Sequence, residues 1–229
     1  MTADYEILLQ GNNLRLREGF LGLANVSLIH TTEGPMLFDV GHYVNRPGLL
    51  TALSARDLAP ADIPFVFLSH LHFDHSLNID LFPHAKVFVS QREWDYAAAP
   101  HEKDPFIPQM IRTQLEGFDL VFLEDEPELF PGVRTLAVPG HTPGSYALDL
   151  DTPDKGRVVI AGDAIKYPKE VVGRRCDMAF DTLEAGTESI ERILAIADRI
   201  VPGHFPEMIR QSDGTFLWQD AASFELLVR

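Results

Sequence analysis

Ser69-His70-Leu71-His72-Phe73-Asp74-His75 places four side chains able to bind a metal ion within six positions. The stretch follows directly on Pro64-Phe65-Val66-Phe67-Leu68-Ser69, a continuous apolar run of strand length. Such runs form central strands covered on both faces. A chain running straight on would send His70, His72 and Asp74 to one side. A turn into a helix would bring His75 round as well. Loops at strand ends are where a rigid scaffold presents functional groups. A lone histidine is ordinarily a surface or hydrogen-bonded core residue, but here several crowd beside one apolar strand in a chain holding only nine. The cluster reads as a metal site.

Three single residues farther along strengthen that reading, each at the end of a predicted strand. They are His141 in Val138-Pro139-Gly140-His141-Thr142-Pro143-Gly144, Asp163 in Ile160-Ala161-Gly162-Asp163, and His204 in Val201-Pro202-Gly203-His204. A glycine precedes each one and permits the tight turn that aims a side chain across a strand end.

Outward from these anchors, residues 4–40 read as strands joined by turns, with Val26-Ser27-Leu28-Ile29-His30 and Met36-Leu37-Phe38-Asp39 flanking Glu33-Gly34-Pro35. Asn45 is placed to cap a short helix with Pro47 in its first turn and Leu49, Leu50 and Leu53 on its buried side. Ala85-Lys86-Val87-Phe88-Val89 is strand-like, whereas residues 92–130 are irregular, with helical pieces among Pro100, Pro105 and Pro108. Strands resume at 133–138, 145–150 and 157–162, and Arg199-Ile200-Val201 leads to His204. A helix is predicted over 181–198, with Asp181 and Glu184 as a capping box and Leu183, Ile190, Ile193, Leu194 and Ala197 as its apolar stripe. Strands and helices mix in both halves without strict βαβ alternation. The expectation is an α/β chain, two sheets face to face with helices outside, forming one domain over residues 1–229.

The ordered set HxHxDH, His, Asp, His resembles the metallo-β-lactamase superfamily from Asp39, in Leu37-Phe38-Asp39-Val40-Gly41, to His204. The resemblance implies the αβ/βα four-layer sandwich with the site at one edge of the sheets. It also implies that His70, His72 and His141 bind one metal, that Asp74, His75 and His204 bind a second, and that Asp163 bridges them. An imidazole-rich set with carboxylates and no thiolate suits two Zn²⁺ per chain, with Fe²⁺ or Mn²⁺ as alternatives. Two cations roughly 3.5–4 Å apart can share a water and lower its pKa toward about 7, giving a hydroxide that attacks an electrophilic carbonyl or phosphorus. Asp74 is then placed to orient that nucleophile or shuttle its proton. Asp39 either holds a ligand or its loop in position, or simply closes a strand-end turn.

Departures from subfamily patterns narrow the choice. His72 stands where flavodiiron oxidoreductases place Glu, and Asp163 is absent from true β-lactamases. Only 25 residues follow His204, too few for the helical substrate domain of glyoxalase II thioesterases or the extra domain of mRNA-processing nucleases. The chain is most similar to the small stand-alone hydrolases, among them the N-acyl-homoserine lactonases. It departs from those in holding Lys166, followed by Tyr167, three residues after the bridging aspartate where they place tyrosine. Either side chain is a candidate for substrate contact, Lys166 through a substrate carboxylate. Phe20, Leu21 and Leu23 in an early glycine-flanked hairpin are further candidates, and Phe106, Ile107, Met110 and Ile111 suit a lid or a homodimer surface. The expected reaction is hydrolysis of an ester or lactone. The alternatives are a metal-dependent endonuclease or phosphodiesterase, a thioesterase, and a sulfur dioxygenase with one iron.

Composition sets the outer bounds. The chain of 229 residues is 45% hydrophobic, ordinary for a globular protein. No apolar run is long enough to cross a bilayer. The start, Met1-Thr2-Ala3-Asp4-Tyr5-Glu6, lacks the positive charge of a secretory signal. Cys176 is the sole cysteine, so an internal disulfide is excluded and a cytoplasmic location is expected. With 34 acidic against 19 basic residues the formal charge is −15, which repels phosphate backbones and favours a small-molecule substrate over nucleic acid.

Overall fold

Strict alternation along the central strands sends successive side chains to opposite faces, and each face finds its own partner layer. The computed structural model describes residues 3–218. The first sheet is built from β1 (Asp4–Leu9), β4 (Val26–Thr31), β5 (Gly34–Phe38), β6 (Phe65–Phe67), β7 (Lys86–Ser90) and β8 (Asp119–Leu123), adjacent in that order. A small hairpin, β2 (Arg15–Leu16) and β3 (Gly19–Phe20), lies between β1 and β4 in sequence. The second sheet contains β9 (Glu128–Phe130), β10 (Val133–Ala137), β11 (Tyr146–Thr152), β12 (Gly156–Gly162), β13 (Arg199–Pro202), β14 (Met208–Arg210) and β15 (Phe216–Leu217), again neighbours in sequence order.

Inward-facing residues of the two sheets meet in one core. Phe38 stacks on Phe67 with ring centroids 5.5 Å apart, and Phe88, Phe130, Leu148, Leu150, Val158 and Ile160 complete the layer. The alternate residues Leu37, Val66 and Val87 face outward. They are covered by Leu49 and Leu53 of α1 (Arg46–Ser54), Trp94 of α3 (Gln91–Ala98), and Ile111 and Leu115 of α4 (Ile111–Leu115). A short helix, α2 (Phe73–Ser76), lies between α1 and α3 in the chain. On the second sheet Val159, Ala161 and Ile200 pack against Val171 of α5 (Pro168–Gly173) and Ile190, Ile193 and Leu194 of α6 (Leu183–Ile196). Each such aliphatic side chain contributes roughly 1.5–3 kcal/mol when fully buried. The outcome is helix, sheet, sheet, helix: the four-layer sandwich expected from the sequence.

The strands β5, β6, β7 and β8 are parallel, as are β12 and β13. Their C-terminal ends therefore open at common sheet edges, and the polar loops leave from there. The two sheets are tied at this edge by Tyr146 N–H, which donates to Ser69 O at 2.9 Å.

Several local expectations are corrected. Asn45 precedes α1, but its side-chain oxygen accepts from His42 N–H at 3.0 Å instead of capping the helix. Leu50 is 37% exposed, because the helix turns only Leu49 and Leu53 to the core. In α6 the helix begins at Leu183, so the cap is Thr182, which accepts from Ala185 N–H at 3.0 Å, while Asp181, one residue earlier, donates its N–H to Gly140 O. Leu183 therefore begins the helix at 51% exposure, outside the apolar stripe. The irregular stretch 92–130 contains β8 and β9 as well as helical pieces. Both are short and lie at sheet edges, so they lack the fully apolar signature of a central strand. Among the described residues no helix is long and apolar enough to cross a membrane.

Candidate metal centre

Strand ends deliver every candidate ligand to one place. His70 follows β6, and α2 supplies the turn that brings Asp74 and His75 back beside it, with His72 just before its first residue. His141 follows β10, Asp163 follows β12 and His204 follows β13. The preceding glycines serve different needs. Gly140 (φ +139°) and Gly162 (φ +51°) occupy backbone conformations that side chains disfavour. Gly203 is needed for space, because a Cβ there would lie 2.1 Å from Asp163 Oδ1.

Ligand atoms of His70, His72 and His141 fall within 4.8 Å of one another, as do those of Asp74, His75 and His204, and those of His70, His75 and Asp163. Asp163 stands between the first two groups. Its Oδ1 lies 3.3 Å from His75 Nε2 and 3.2 Å from His204 Nε2, while its Oδ2 lies 3.2 Å from His141 Nε2. All seven residues are buried. His70 Nε2, His75 Nε2, Asp74 Oδ2 and Asp163 Oδ1 have no hydrogen-bond partner although they are shielded from water. A buried polar atom left so costs about 1–3 kcal/mol, and folded chains rarely tolerate several together. Imidazole nitrogens and carboxylate oxygens converging in this way, with His141 Nε2 also 3.0 Å from His72 Nδ1, are the donor set that a divalent cation satisfies once it displaces the protons they share. The residues present fit such a cation.

The outward nitrogens of four of these histidines are anchored, which fixes which ring atom faces inward. His75 Nδ1–H donates to Asp39 Oδ2 at 2.7 Å, and His70 Nδ1–H to Ser69 Oγ at 3.0 Å. Asp39 also accepts from Ser69 N–H and Ser69 Oγ–H, both at 2.8 Å. His72 Nε2–H donates to Asp104 Oδ2 at 3.0 Å, so its Nδ1 turns to the site. His204 Nδ1–H donates to Asn12 O at 3.0 Å. Of the two sequence readings of Asp39, the one in which it steadies a ligand agrees with these contacts, and its φ of +58° is uncommon for a residue with a side chain.

Sequence reasoning missed Asp104, Asn12 and Glu93. Asp104 sits in an irregular proline-bordered loop and Asn12 acts through its backbone, so neither carries a local signal. Glu93, fully buried, accepts from Leu71 N–H at 3.0 Å, from Thr142 Oγ1–H at 2.7 Å and from Gly144 N–H at 3.2 Å. It thereby braces the first-motif loop against the His141 loop. In sequence, Ser90-Gln91-Arg92-Glu93 looks only like a helix cap, and Ser90 does cap α3 at Glu93 N–H.

The electrostatics divide the cluster. Burial holds His70 well below the usual histidine range, with the neighbouring His75, His72 and His141 adding to it. Burial likewise lowers His141, and Asp163 only partly opposes this. For His75 burial is outweighed by Asp39, Asp163 and Asp74, which raise it well above its ordinary value. His204 is raised in the same way, by Asp163 and Asp74 against burial. Asp163 is held well below the carboxylate range despite its burial, by His204, His75 and His141. A cation held by His75 and His204 would therefore displace protons from them.

Above the seven residues lies a cavity of about 350 Å³ whose lining includes Phe20, Phe106, Tyr167, Lys166 and Arg15. Phe20 lines it as expected, but Leu21 and Leu23 do not. Leu21 is 47% exposed, and Leu23 is held aside by backbone pairing with Asn12. Phe106 joins the lining, whereas Ile111, the first residue of α4, is buried in the core and Met110 is 66% exposed. Lys166 is buried, and its Nζ donates to Glu170 Oε1 at 2.7 Å, so its charge is compensated within the protein. The Tyr167 hydroxyl donates to Asp177.

Comparison with known proteins agrees with this geometry. The family model of the metallo-β-lactamase superfamily matches residues 19–204. An N-acyl homoserine lactonase from a Bacillus species is 30% identical over 198 residues, 76% of each chain. Metallo-beta-lactamase domain-containing protein 1 of Xenopus laevis is 32% identical over 178 residues, covering 76% of this chain and 68% of that one. A crystal structure of an N-acyl homoserine lactone hydrolase, with its product N-hexanoyl-L-homoserine at the catalytic metal centre, shares the fold. Its TM-score is 0.70 at 21% identity, covering 89% of this chain and 93% of that one. A match of this extent, on a sandwich whose strand ends converge on seven buried ligand-type side chains, means that the chain belongs to the metallo-β-lactamase superfamily and is a metal-dependent hydrolase.

Proposed function

We propose that the protein is a dinuclear zinc hydrolase that opens lactone or ester bonds of a small organic substrate. The observation that carries this reading is Asp163, which turns one oxygen to His75 and His204 and the other to His141. His70, His72 and His141 would hold one ion, and Asp74, His75 and His204 the other, with Asp163 shared. Bound there, the ions would supply Lewis acidity and an acidified water at neutral pH. The similarity to proteins named N-acyl homoserine lactonases supports a cyclic ester as the bond cleaved.

The chain's own groups account for the remaining steps. Asp74 Oδ2 has no hydrogen bond and lies 3.5 Å from His204 Nε2 at the cavity lining, where it can accept a proton from the attacking water and return it to the leaving alkoxide. Water plus lactone then gives a hydroxy acid with no other reactant. Phe20 and Phe106, ring centroids 6.1 Å apart, wall the cavity and exclude bulk water. Tyr167 has its proton committed to Asp177, so it offers the substrate an acceptor oxygen and not a donor.

The test is metal analysis of freshly purified protein combined with kcat/KM on lactones, esters, thioesters, phosphodiesters and single-stranded RNA and DNA. Two ions per chain and a lactone or ester preference over nucleic acid of at least about 100-fold are expected, given the −15 charge. One tightly bound iron with oxygen-dependent turnover would favour the dioxygenase alternative. Nuclease activity without ester or lactone turnover would replace the carbonyl reading.

A further inference from the structure

The lining of the cavity runs against the charge of the molecule. The chain carries −15, yet the charged side chains that line the cavity besides the ligand residues are Arg15, Lys166 and Lys169 against the single carboxylate Asp177. Two of those cations are answered within the protein. Lys166 is paired with Glu170 as described, and Lys169 Nζ lies 3.0 Å from Asp177 Oδ2. Arg15 is not: among the described residues no carboxylate pairs with its guanidinium.

Its position is defined by the hairpin. Arg15 on β2 is directly opposite Phe20 on β3, and its guanidinium carbon lies 5.7 Å from the Phe20 ring centroid. Phe20 in turn meets the His204 ring edge-on at 6.2 Å. One aromatic ring therefore separates a free guanidinium from a candidate metal ligand. On the same side Phe73 and Phe106 extend the apolar wall, their centroids 6.0 Å apart. A substrate whose reacting carbonyl reaches the floor and whose body lies on this wall ends at Arg15. The planar fork of a guanidinium matches a carboxylate in two parallel hydrogen bonds, and a single unpaired cation offsets a single negative charge.

Resting on the hydrolase reading above, we infer that the substrate carries a carboxylate remote from the bond to be cleaved, and that Arg15 is the specificity residue that receives it. An uncharged acyl lactone would leave Arg15 without a partner. Lys166, the residue that the sequence offered for this role, is already neutralised by Glu170.

The experiment uses the metal-loaded full chain and matched aryl esters that differ only in a ring carboxylate or carboxamide, with wild type, Arg15→Gln and Arg15→Lys. Wild type should favour the carboxylate about five- to tenfold, mainly through KM, allowing for the solvent exposure of Arg15. The preference should shrink as salt is raised. Arg15→Gln should bring the ratio to about one, and Arg15→Lys should keep part of it. A ratio near one in wild type, or one unchanged in Arg15→Gln, overturns the inference. Turnover of the carboxamide ester reports separately on the hydrolase reading. Equilibrium binding of the non-reactive aryl carboxylate and carboxamide gives the same comparison without any turnover. A carboxylate advantage that survives Arg15→Gln in that titration belongs to the metal centre and equally overturns the inference.

Discussion

Asp163 concentrates the site's electrostatics in one side chain, with three imidazoles about it and a carboxyl held strongly ionised. Replacing it by alanine should reduce kcat roughly 100-fold or more, because the distance between the proposed ions depends on it. It belongs to none of the three apolar clusters, so a thermal melt of Asp163→Ala should still show one cooperative transition. Near-wild-type turnover would remove it from the bridging role. Gly203→Ala probes the same carboxylate from behind, since its Cβ would meet Asp163 Oδ1 at 2.1 Å. About a tenfold loss of activity is expected, and an unchanged rate would show that the carboxylate has room to move. At this scale the seven ligand candidates were legible because each is a metal-binding side chain beside a turn or an apolar strand. Asp104 and Glu93 were not, because their partners are 32 and between 22 and 51 residues away in sequence.

Among the elements, α3 does more than cover a sheet. Through Glu93 it fixes the loop after β6 and the loop after β10 at a constant separation, the span that His70, His72 and His141 must share. Glu93→Gln keeps the volume but places an amide donor against Leu71 N–H or against the Thr142 and Gly144 donors. Zinc affinity and kcat should each fall about tenfold, as they do when the hydrogen-bonded support of ligands is disturbed. Equal zinc affinity in a competition titration would reduce Glu93 to a packing role. The hairpin β2–β3 shows what sequence conveys at this scale. Its glycines marked a turn, but only the register, Arg15 against Phe20, decides that Phe20 and not Leu21 faces the ligands. The central strands were readable for the opposite reason, since residues covered on both faces must all be apolar. The edge strands β8 and β9, partly exposed, have no such requirement.

For the whole molecule, the relation between sandwich and site sets how stability should respond to metal. The apolar layers close without any ligand residue, so removing metal with a chelator should leave the far-UV spectrum nearly unchanged. The site itself should respond strongly, because buried, unpartnered nitrogens and oxygens would gain partners and the protons on His75 and His204 would leave. An ion present at 100 times its dissociation constant adds about 2.7 kcal/mol to folding. In a chain of this size each kcal/mol raises Tm by roughly 2–4 °C. Returning zinc to chelated protein should therefore raise Tm by roughly 5–10 °C per ion, in a titration that ends at two equivalents. His70 and His141, held neutral by burial, need lose no proton to bind. Filling of the group that contains His75 and His204 should therefore be the step that releases protons into a weakly buffered solution. A titration that ends at one equivalent, with no further rise in Tm and no proton release, would leave Asp74, His75 and His204 without an ion and contradict the dinuclear assignment.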